Sequence, residues 1–323
     1  MLSGIDIDVR TVERPTHRKS TRGIASMSAA DRLAALGRFG NFKPETERKI
    51  RTQEVKSNPV IDEMKDIWKK FSYKRSKETM RSQLSGRLNG LEFSAGDVES
   101  FSIVLAEFQD EPGFPKKAGC FLNALMDNCK DTKFILHTAH LGRIPFIGAD
   151  NEKNITVDGN VGARVGYMMK GGSIIVKGNA SVYAGYGMKE GSIIVEGNAH
   201  GTAGSGMKGG TLTVKGNVTD SAGYAMLGGS LIIKGNAGDN VGEFFQGGSI
   251  LVKGNAGNWI GKTMQGGKIS IKGKAGHFIG CNMDGGEIHI GGSIGTISSG
   301  LKDGKIFFKG KLIIEGHNIY YPF

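Results

Sequence analysis

The residues of this chain best suited to hold a metal or act as nucleophiles are its three cysteines and seven histidines. Four of them lie close together in the sequence, at Cys120, Cys129, His137 and His140. Zinc prefers thiolate and imidazole ligands, but this spacing is not that of a zinc finger, and Cys129 lies on the apolar face of a predicted helix. Cys281 has no histidine beside it in the repeat to activate it. The pattern therefore favours structural cysteines and histidines.

A second candidate for chemistry is a phosphate-binding loop. Ala256, Gly261, Lys262 and Thr263 fit a Walker A pattern if alanine replaces its first glycine. Such a loop joins a strand to a helix whose N-terminus holds the phosphate, whereas no helix is predicted after Thr263. The sequence therefore predicts no catalytic residue, no cofactor and no metal site in this chain.

The elements that position these residues belong to a 19-residue repeat. The closing glycine of each copy recurs at Gly159, Gly178, Gly197, Gly216, Gly235, Gly254, Gly273 and Gly292. The clearest copy, 171–180, joins alternating apolar residues to a glycine-rich corner, which is typical of a strand and a turn. A fixed period indicates stacked coils of chain. We predict an all-β fold, a β-solenoid with about eight coils from Ile155 onward.

Aligned copies give four apolar columns that are predicted to fill the tube. They begin at Val165, Met169, Ile174 and Val176 and recur once in every copy. The methionines at this structural period are interpreted as packing. An asparagine follows six of the closing glycines, from Asn160 to Asn255, and is predicted to form a hydrogen-bonded ladder along the tube.

One row of charged residues is predicted on the outside of the solenoid. It consists of Lys177, Lys215, Lys234, Lys253 and Lys272 and is interrupted by Glu196. Like charges one strand apart, at about 4.8 Å, disfavour each other. The row has two explanations at this point, protection against aggregation and contact with an acidic partner.

Aromatic residues form a second outer row. Tyr167, Tyr186 and Tyr224 share a column, and Tyr183, Trp259 and Phe278 lie nearby. Exposed aromatic residues often anchor subunit interfaces, although stacking along the coil explains them equally well. Both rows are candidate partner contacts.

The chain before the repeat is basic. Residues 1–85 contain 19 Lys plus Arg against 11 Asp plus Glu. The first 22 positions are predicted to be an extended arm, and Ser28 with Asp31 predicts a short helix. Such a region suits an acidic protein surface or nucleic acid.

Two further helices are predicted before the first coil. Asn58 and Pro59 open an amphipathic helix that contains Trp68 and ends near Lys69 and Lys70. Its apolar face is predicted either to pack on the chain itself or to dock on another subunit, which makes Trp68, Lys69 and Lys70 candidate contacts. A helix over residues 116–129 is predicted to cap the tube.

Composition limits the remaining possibilities. The first residues lack the apolar core of a signal peptide, and no stretch approaches the length of a membrane span. Three cysteines suit a reducing compartment. We therefore expect a cytoplasmic protein that does not bind membranes, with an N-terminal region at 1–85, a helical cap at 86–133 and a β-helix at 134–323.

The repeat resembles the GXGXG-motif family. Its cleanest copy runs from Gly254 to Gly273, with asparagine, alanine and glycine at the start and an apolar strand at the end. The family forms right-handed parallel β-helices, found as the β-helical subunit of formylmethanofuran dehydrogenase and as the C-terminal domain of the glutamate synthase large chain. In both, the helix is a scaffold that holds catalytic neighbours. The chain before the repeat matches neither pattern.

This resemblance implies a non-catalytic scaffold subunit of an oxidoreductase complex, most similar to the β-helical subunit of formylmethanofuran dehydrogenase, with other protein subunits as partners. A detached domain of a glutamate synthase is one alternative. A nucleic-acid-binding module that uses the basic N-terminal arm is the other.

Overall fold

The computed structural model describes residues 58–72, 77–316 and 318–319. Within these residues, helices precede one sheet whose twelve strands are hydrogen-bonded in chain order. The helices are α1 (Pro59–Lys70), α2 (Lys77–Leu88), α3 (Ala95–Val104) and α4 (Phe114–Asn128), with a 3-10 turn at Leu105–Phe108. The helix predicted at Ser28 and Asp31 lies outside the described residues.

The strands form a stack that is parallel over most of its length. They are β1 (Lys133–His137), β2 (Asn154–Asp158), β3 (Ser173–Val176), β4 (Ser192–Val195), β5 (Thr211–Val214), β6 (Ser230–Ile233), β7 (Ser249–Val252), β8 (Lys268–Ile271), β9 (Asp284–Ile290), β10 (Asp303–Phe308), β11 (Lys311–Glu315) and β12 (Asn318–Ile319). Pairing is parallel from β1 to β10 and antiparallel from β10 to β12. The predicted β-solenoid is confirmed, and its eight copies from Ile155 are β2–β9.

The register of the coils follows the 19-residue period. Ile174 lies beside Ile193, which lies beside Leu212. In β3 to β7 the second and fourth residues are buried and the first and third are partly exposed. All four predicted core columns are buried. A fifth buried column, from Val161 through Ala180 to Ala275, was not predicted and joins adjacent coils through single parallel bridges.

The asparagine ladder is confirmed, with the backbone as its donor. The side-chain oxygen of Asn198 accepts from the backbone N–H of Asn217 at 2.8 Å, and the oxygen of Asn217 accepts from Asn236 at 2.8 Å. A second ladder, which was not predicted, runs from Asp220 to Asp239 and on to Asn258. These side chains satisfy backbone donors at corners where the strand ladder is interrupted.

The Gly247–Gly248 corner needs both of its glycines, for different reasons. Gly248 has a φ of +91°, and a Cβ there would lie 2.5 Å from the carbonyl oxygen of Gly229. Gly247 has no positive φ, but its Cβ would lie 2.7 Å from the carbonyl oxygen of Leu227. Backbone of the preceding coil therefore lies too close for a Cβ at this corner. The first position is less restricted elsewhere, since Gly171 has no atom nearer than 3.9 Å and Glu190 occupies the same position one coil later.

The helical cap closes the first coil of the tube. Helix α1 begins where predicted, since the side-chain oxygen of Asn58 accepts from the N–H of Val60 at 3.0 Å. Helix α4 begins two residues before the prediction, and its Asn123 side chain donates to the carbonyl of Phe146 at 2.7 Å. Helix α3 was not predicted. It packs on β1, and the Ser102 hydroxyl accepts from the backbone N–H of His137 at 2.9 Å.

The cap and the solenoid belong to one compact unit. Helix α2 crosses residue 85, so no element ends at the boundary predicted there. The division at 85 and 133 stays a prediction.

Candidate partner-binding surfaces

Trp68 is buried in the cap, which corrects its assignment as a partner contact. Its ring is 0% exposed and lies 5.3 Å from the centroids of both Phe108 and Phe121. The indole N–H donates to the Glu111 carboxylate at 3.0 Å. The amphipathic face of α1 therefore packs on the chain's own cap. Lys69 and Lys70, at the end of α1, are exposed and remain candidate contacts.

A charged network surrounds that tryptophan. The Lys117 ammonium donates to Glu111 at 2.8 Å and lies 4.2 Å from the centroid of the Trp68 ring. Burial raises the pKa of Glu111, but the hydrogen bonds from Lys117 and Trp68 outweigh burial and hold this pKa below its ordinary value. Glu111 is therefore a carboxylate that ties α4 to α1.

The cysteines and histidines considered for metal binding have other partners. The Cys129 thiol is buried and donates to the carbonyl of Phe93 at 3.4 Å, and burial raises its pKa. His137 contacts the carboxylates of Glu99 at 2.9 Å and Asp158 at 3.3 Å. His140 contacts a backbone carbonyl, and burial lowers its pKa. Among the residues that the structure describes, no three His, Cys, Asp or Glu side chains form a group that could hold a metal.

The Walker-like segment is part of the coil. Lys262 is bonded to Glu243 at 2.8 Å, and that hydrogen bond raises the pKa of Lys262. The next element after Thr263 is strand β8, not a helix. The lysine is thus held by a carboxylate on the preceding coil, as a structural ion pair.

The lysine row lies on the outer face of the sheet, and all its members are exposed. Lys215 pairs with Glu196 at 2.9 Å, and the hydrogen bond from Lys215 lowers the pKa of Glu196. Lys234, Lys253 and Lys272 follow on three successive coils, and no ion pair within the described part of the chain involves them. This stretch of the row thus presents three ammonium groups on adjacent coils.

An aliphatic stripe runs beside the lysine row. Its members stand between the two buried residues of β3, β4, β6 and β7, so they point outward and are partly exposed: Ile175, Ile194, Ile232 and Leu251. Thr213 of β5 interrupts the stripe, and Ser270 of β8 follows it. This stripe was not predicted. The sequence signal was a run of consecutive apolar residues in strands such as Ser-Ile-Ile-Val. In a strand with one face in solvent, polar outward residues normally alternate with apolar inward ones.

A groove marks the N-terminal end of this stripe. It has a volume of about 420 Å³ and lies between the first turn of α3 and the outer face of β1 to β3. Ala95 and Gly96 form one wall, and Ile135 and Ile175 contribute to the other. Ile135 is 44% exposed. The outer sheet face is therefore concave where it meets the cap, and polar residues such as Glu99 and Lys133 line the groove together with the apolar ones.

The aromatic row lies on the corner between the glycine turns. Tyr167 and Tyr186 stack with centroids 5.7 Å apart and planes inclined by 3°. Tyr224 is separated from them by the coil of Ser205 and meets Phe244 edge to face at 5.6 Å. Both explanations of this row hold in part, because the rings stack along the tube and yet Tyr186, Tyr224 and Phe244 remain exposed.

Bulky residues at this corner have a backbone conformation that glycine usually adopts. Tyr183, Trp259 and Phe278 have φ values of 63°, 62° and 59°. Residues with a Cβ are uncommon there, and strain of this kind costs on the order of 1–3 kcal/mol. Trp259 and Phe278 stack at 4.3 Å, and Phe278 is 47% exposed. The fold thus holds large apolar side chains outward at strained positions.

The fold and these surfaces define a parallel β-solenoid with a helical cap. A family model described as the GXGXG motif matches residues 147–307. This part of the chain is a GXGXG-motif solenoid, and the resemblance predicted from the repeat is confirmed.

One solved structure with a similar chain is that of the formyltransferase/hydrolase complex from Methylorubrum extorquens in complex with methylofuran. The two chains are 35% identical, with a TM-score of 0.43, and the match covers 46% of this chain and 59% of that one. The chain thus spans less than two thirds of that relative's length. No curated protein matches this chain. None of the described helices is long and apolar enough to cross a bilayer.

Proposed function

We propose that this chain is a non-catalytic scaffold subunit of a cytoplasmic multi-subunit enzyme complex, most similar in role to the β-helical subunit of formylmethanofuran dehydrogenase. The observation that carries the proposal is the exposure of apolar and aromatic side chains on the outside of a tube whose interior columns are already buried. The interior columns are buried along the length of the solenoid, while Tyr186, Tyr224, Phe244 and Phe278 are exposed. Clustered exposed apolar groups are typical of protein interfaces.

The geometry of the charged groups supports a structural role. Lys262 with Glu243 and Lys215 with Glu196 each join a residue to its counterpart on the preceding coil. These pairs hold neighbouring coils together. Under this proposal the catalytic groups and any cofactor belong to the partner subunits, and the aromatic and lysine rows contact those subunits.

Affinity purification of the tagged full-length chain from its native cells tests the proposal. We expect stoichiometric partner subunits, with formylmethanofuran oxidation or formyl transfer and hydrolysis in the purified complex. Bound flavin with glutamate synthase activity would instead identify the glutamate synthase alternative, and bound RNA or DNA the nucleic-acid-binding one. The purified chain alone should be free of stoichiometric metal or flavin and without turnover. A monomer that retains a cofactor or turns over substrate would refute the scaffold role.

The N-terminal residues are proposed to help select the partner, because residues 1–85 are strongly basic. The burial of Trp68 decides where a truncation should end. Removal of 1–85 would take α1 and with it the centre of the cap's aromatic cluster, whereas removal of 1–57 leaves α1 intact. We expect the 1–57 deletion to fold and to copurify less with its partners. Full retention of the partners would exclude a role for this region.

A further inference from the structure

The outer sheet face combines two features that solvent-exposed strands rarely share. Its middle column is aliphatic at Ile175, Ile194, Ile232 and Leu251, and all four side chains are partly exposed. The solvated side of a sheet normally alternates to polar residues. Thr213 stands between Ile194 and Ile232 in this column, so the stripe consists of two aliphatic pairs. Exposed apolar patches with a polar or charged rim are typical of binding surfaces.

The charged residues beside the C-terminal half of the stripe are all lysines. Lys234 and Lys253 flank Ile232 and Leu251, and Lys272 follows on the next coil. Successive coils are about 4.8 Å apart, so these three ammonium groups raise each other's electrostatic energy. If the lysines served only to prevent aggregation, they could alternate with carboxylates along the row, as Lys215 does with Glu196. An acidic surface placed over the row would relieve this repulsion.

The chain itself covers the first position of the row with a carboxylate. His137 is in register with Asp158, which lies one coil before Lys177, so His137 belongs to the row. Glu99 of α3 extends over the sheet and contacts His137 at 2.9 Å. The groove of about 420 Å³ lies beside this contact and leads onto the stripe. The cap thus already pairs an acidic helix residue with the row and leaves the following coils uncovered.

We infer that the outer face of β3 to β8, from the α3 groove to Lys272, binds a partner protein whose contact surface has apolar side chains flanked by Asp or Glu. The apolar side chains cover the stripe, and the carboxylates pair with Lys234, Lys253 and Lys272. This inference rests on the proposed function, because it assigns one face of the scaffold to one kind of partner. The aromatic row has no role in that contact.

Lysine acetylation by acetic anhydride, applied to the native complex and to the isolated full-length chain, tests the assignment. We expect Lys234, Lys253 and Lys272 to react about tenfold more slowly in the complex, since a packed interface excludes water and reagent. Lys302 and Lys311, exposed beyond the last regular coil, serve as internal controls and should react equally in both samples. A zero-length carbodiimide should link Lys253 to Asp or Glu residues of the partner.

A pair of variants with the same charge change sharpens the test. Lys234→Glu with Lys253→Glu should weaken the complex by about tenfold or more, because like charges facing each other at an interface are strongly unfavourable. Lys302→Glu with Lys311→Glu should change it less than about twofold, as surface charges outside an interface do. Equal weakening by both pairs, or unprotected sheet lysines in an intact complex, would overturn the assignment and leave the scaffold function standing. Failure to isolate any complex would instead overturn the scaffold function itself.

Discussion

The cap and the solenoid are stabilised in opposite ways. In the cap, one ring, Trp68, meets four phenylalanine rings that lie between residues 101 and 121. In the solenoid, each core residue packs beneath its counterpart in the next coil, and neighbouring coils repeat the contact. The cap therefore depends on particular residues, and the solenoid depends on columns. A single substitution should act globally in the cap and through adjacent coils in the tube.

The largest effect is expected when a charge enters a core column. Ile250 is 1% exposed, so Ile250→Asp buries an unpaired carboxylate and should cost about 4–5 kcal/mol of unfolding free energy or more. Leu251→Asp, one residue later on the outward side, is the matched control and should cost less than about 1 kcal/mol. Chemical denaturation of both variants measures the difference. Equal costs would mean that the two faces of the strand do not differ in burial.

The two tryptophans compare the regions directly. Trp68→Ala removes the centre of the cap cluster and should cost about 3–5 kcal/mol. Trp259→Ala removes one stacked, partly exposed ring of the solenoid corner and should cost about 1 kcal/mol. Thermal unfolding followed by circular dichroism gives both values. A larger loss at Trp259 would reverse the contrast between the regions.

Substitution of a residue in the asparagine ladder should cost less stability, and a conservative variant should restore most of it. Asn217→Ala removes the acceptor for the N–H of Asn236 and should cost about 1 kcal/mol. Asn217→Asp keeps that acceptor, as Asp220 does for Asp239 in the second ladder, and should recover most of the loss. Denaturation midpoints of the two variants distinguish the roles. If aspartate were as damaging as alanine, the hydrogen bond would not explain the asparagine column.

The smallest effect is a pH dependence confined to the cap. The pKa of Glu111 is lower in the folded chain than its ordinary value of 4.5. Its contribution to the free energy of unfolding is therefore complete above pH 4.5 and is lost as the pH falls through the pKa of the folded state. Glu111→Gln should therefore flatten the loss of stability below about pH 4.5. Acid titration of the unfolding free energy checks this. An unchanged slope would assign the acid sensitivity to other carboxylates.

The repeat explains how far the sequence could predict this fold. Because the repeat occurs in seven or eight copies, an ambiguous residue in one copy is resolved by the others. The period, four of the five inward columns and the asparagine ladder were therefore predicted by residue. Helices α2 and α3 occur once, and α3 has almost no amphipathic pattern because it is covered on more than one side. A capping box at Ser94 and Asp97 was the signal that could have located α3.

The surfaces were less predictable than the interior. The lysine and aromatic rows could be identified from spacing, but the outward aliphatic stripe requires knowledge of which strand face meets solvent. The positive φ at Tyr183 and Trp259 has no sequence signal, since neither residue favours that conformation. It is imposed by the backbone hydrogen bonds between coils, such as the one from the N–H of Trp259 to the carbonyl of His277.

Because the register of the coils is fixed, the length of the solenoid is set in whole steps of one repeat. Each coil adds about 4.8 Å to the tube and returns every column to the same side. Loss of one whole coil would therefore shorten the tube without rotating its faces. Loss of a few residues would break the register of every column beyond that point. The number of coils, more than any one side chain, therefore sets the distance between the helical cap at one end of the tube and the antiparallel strands β10 to β12 at the other.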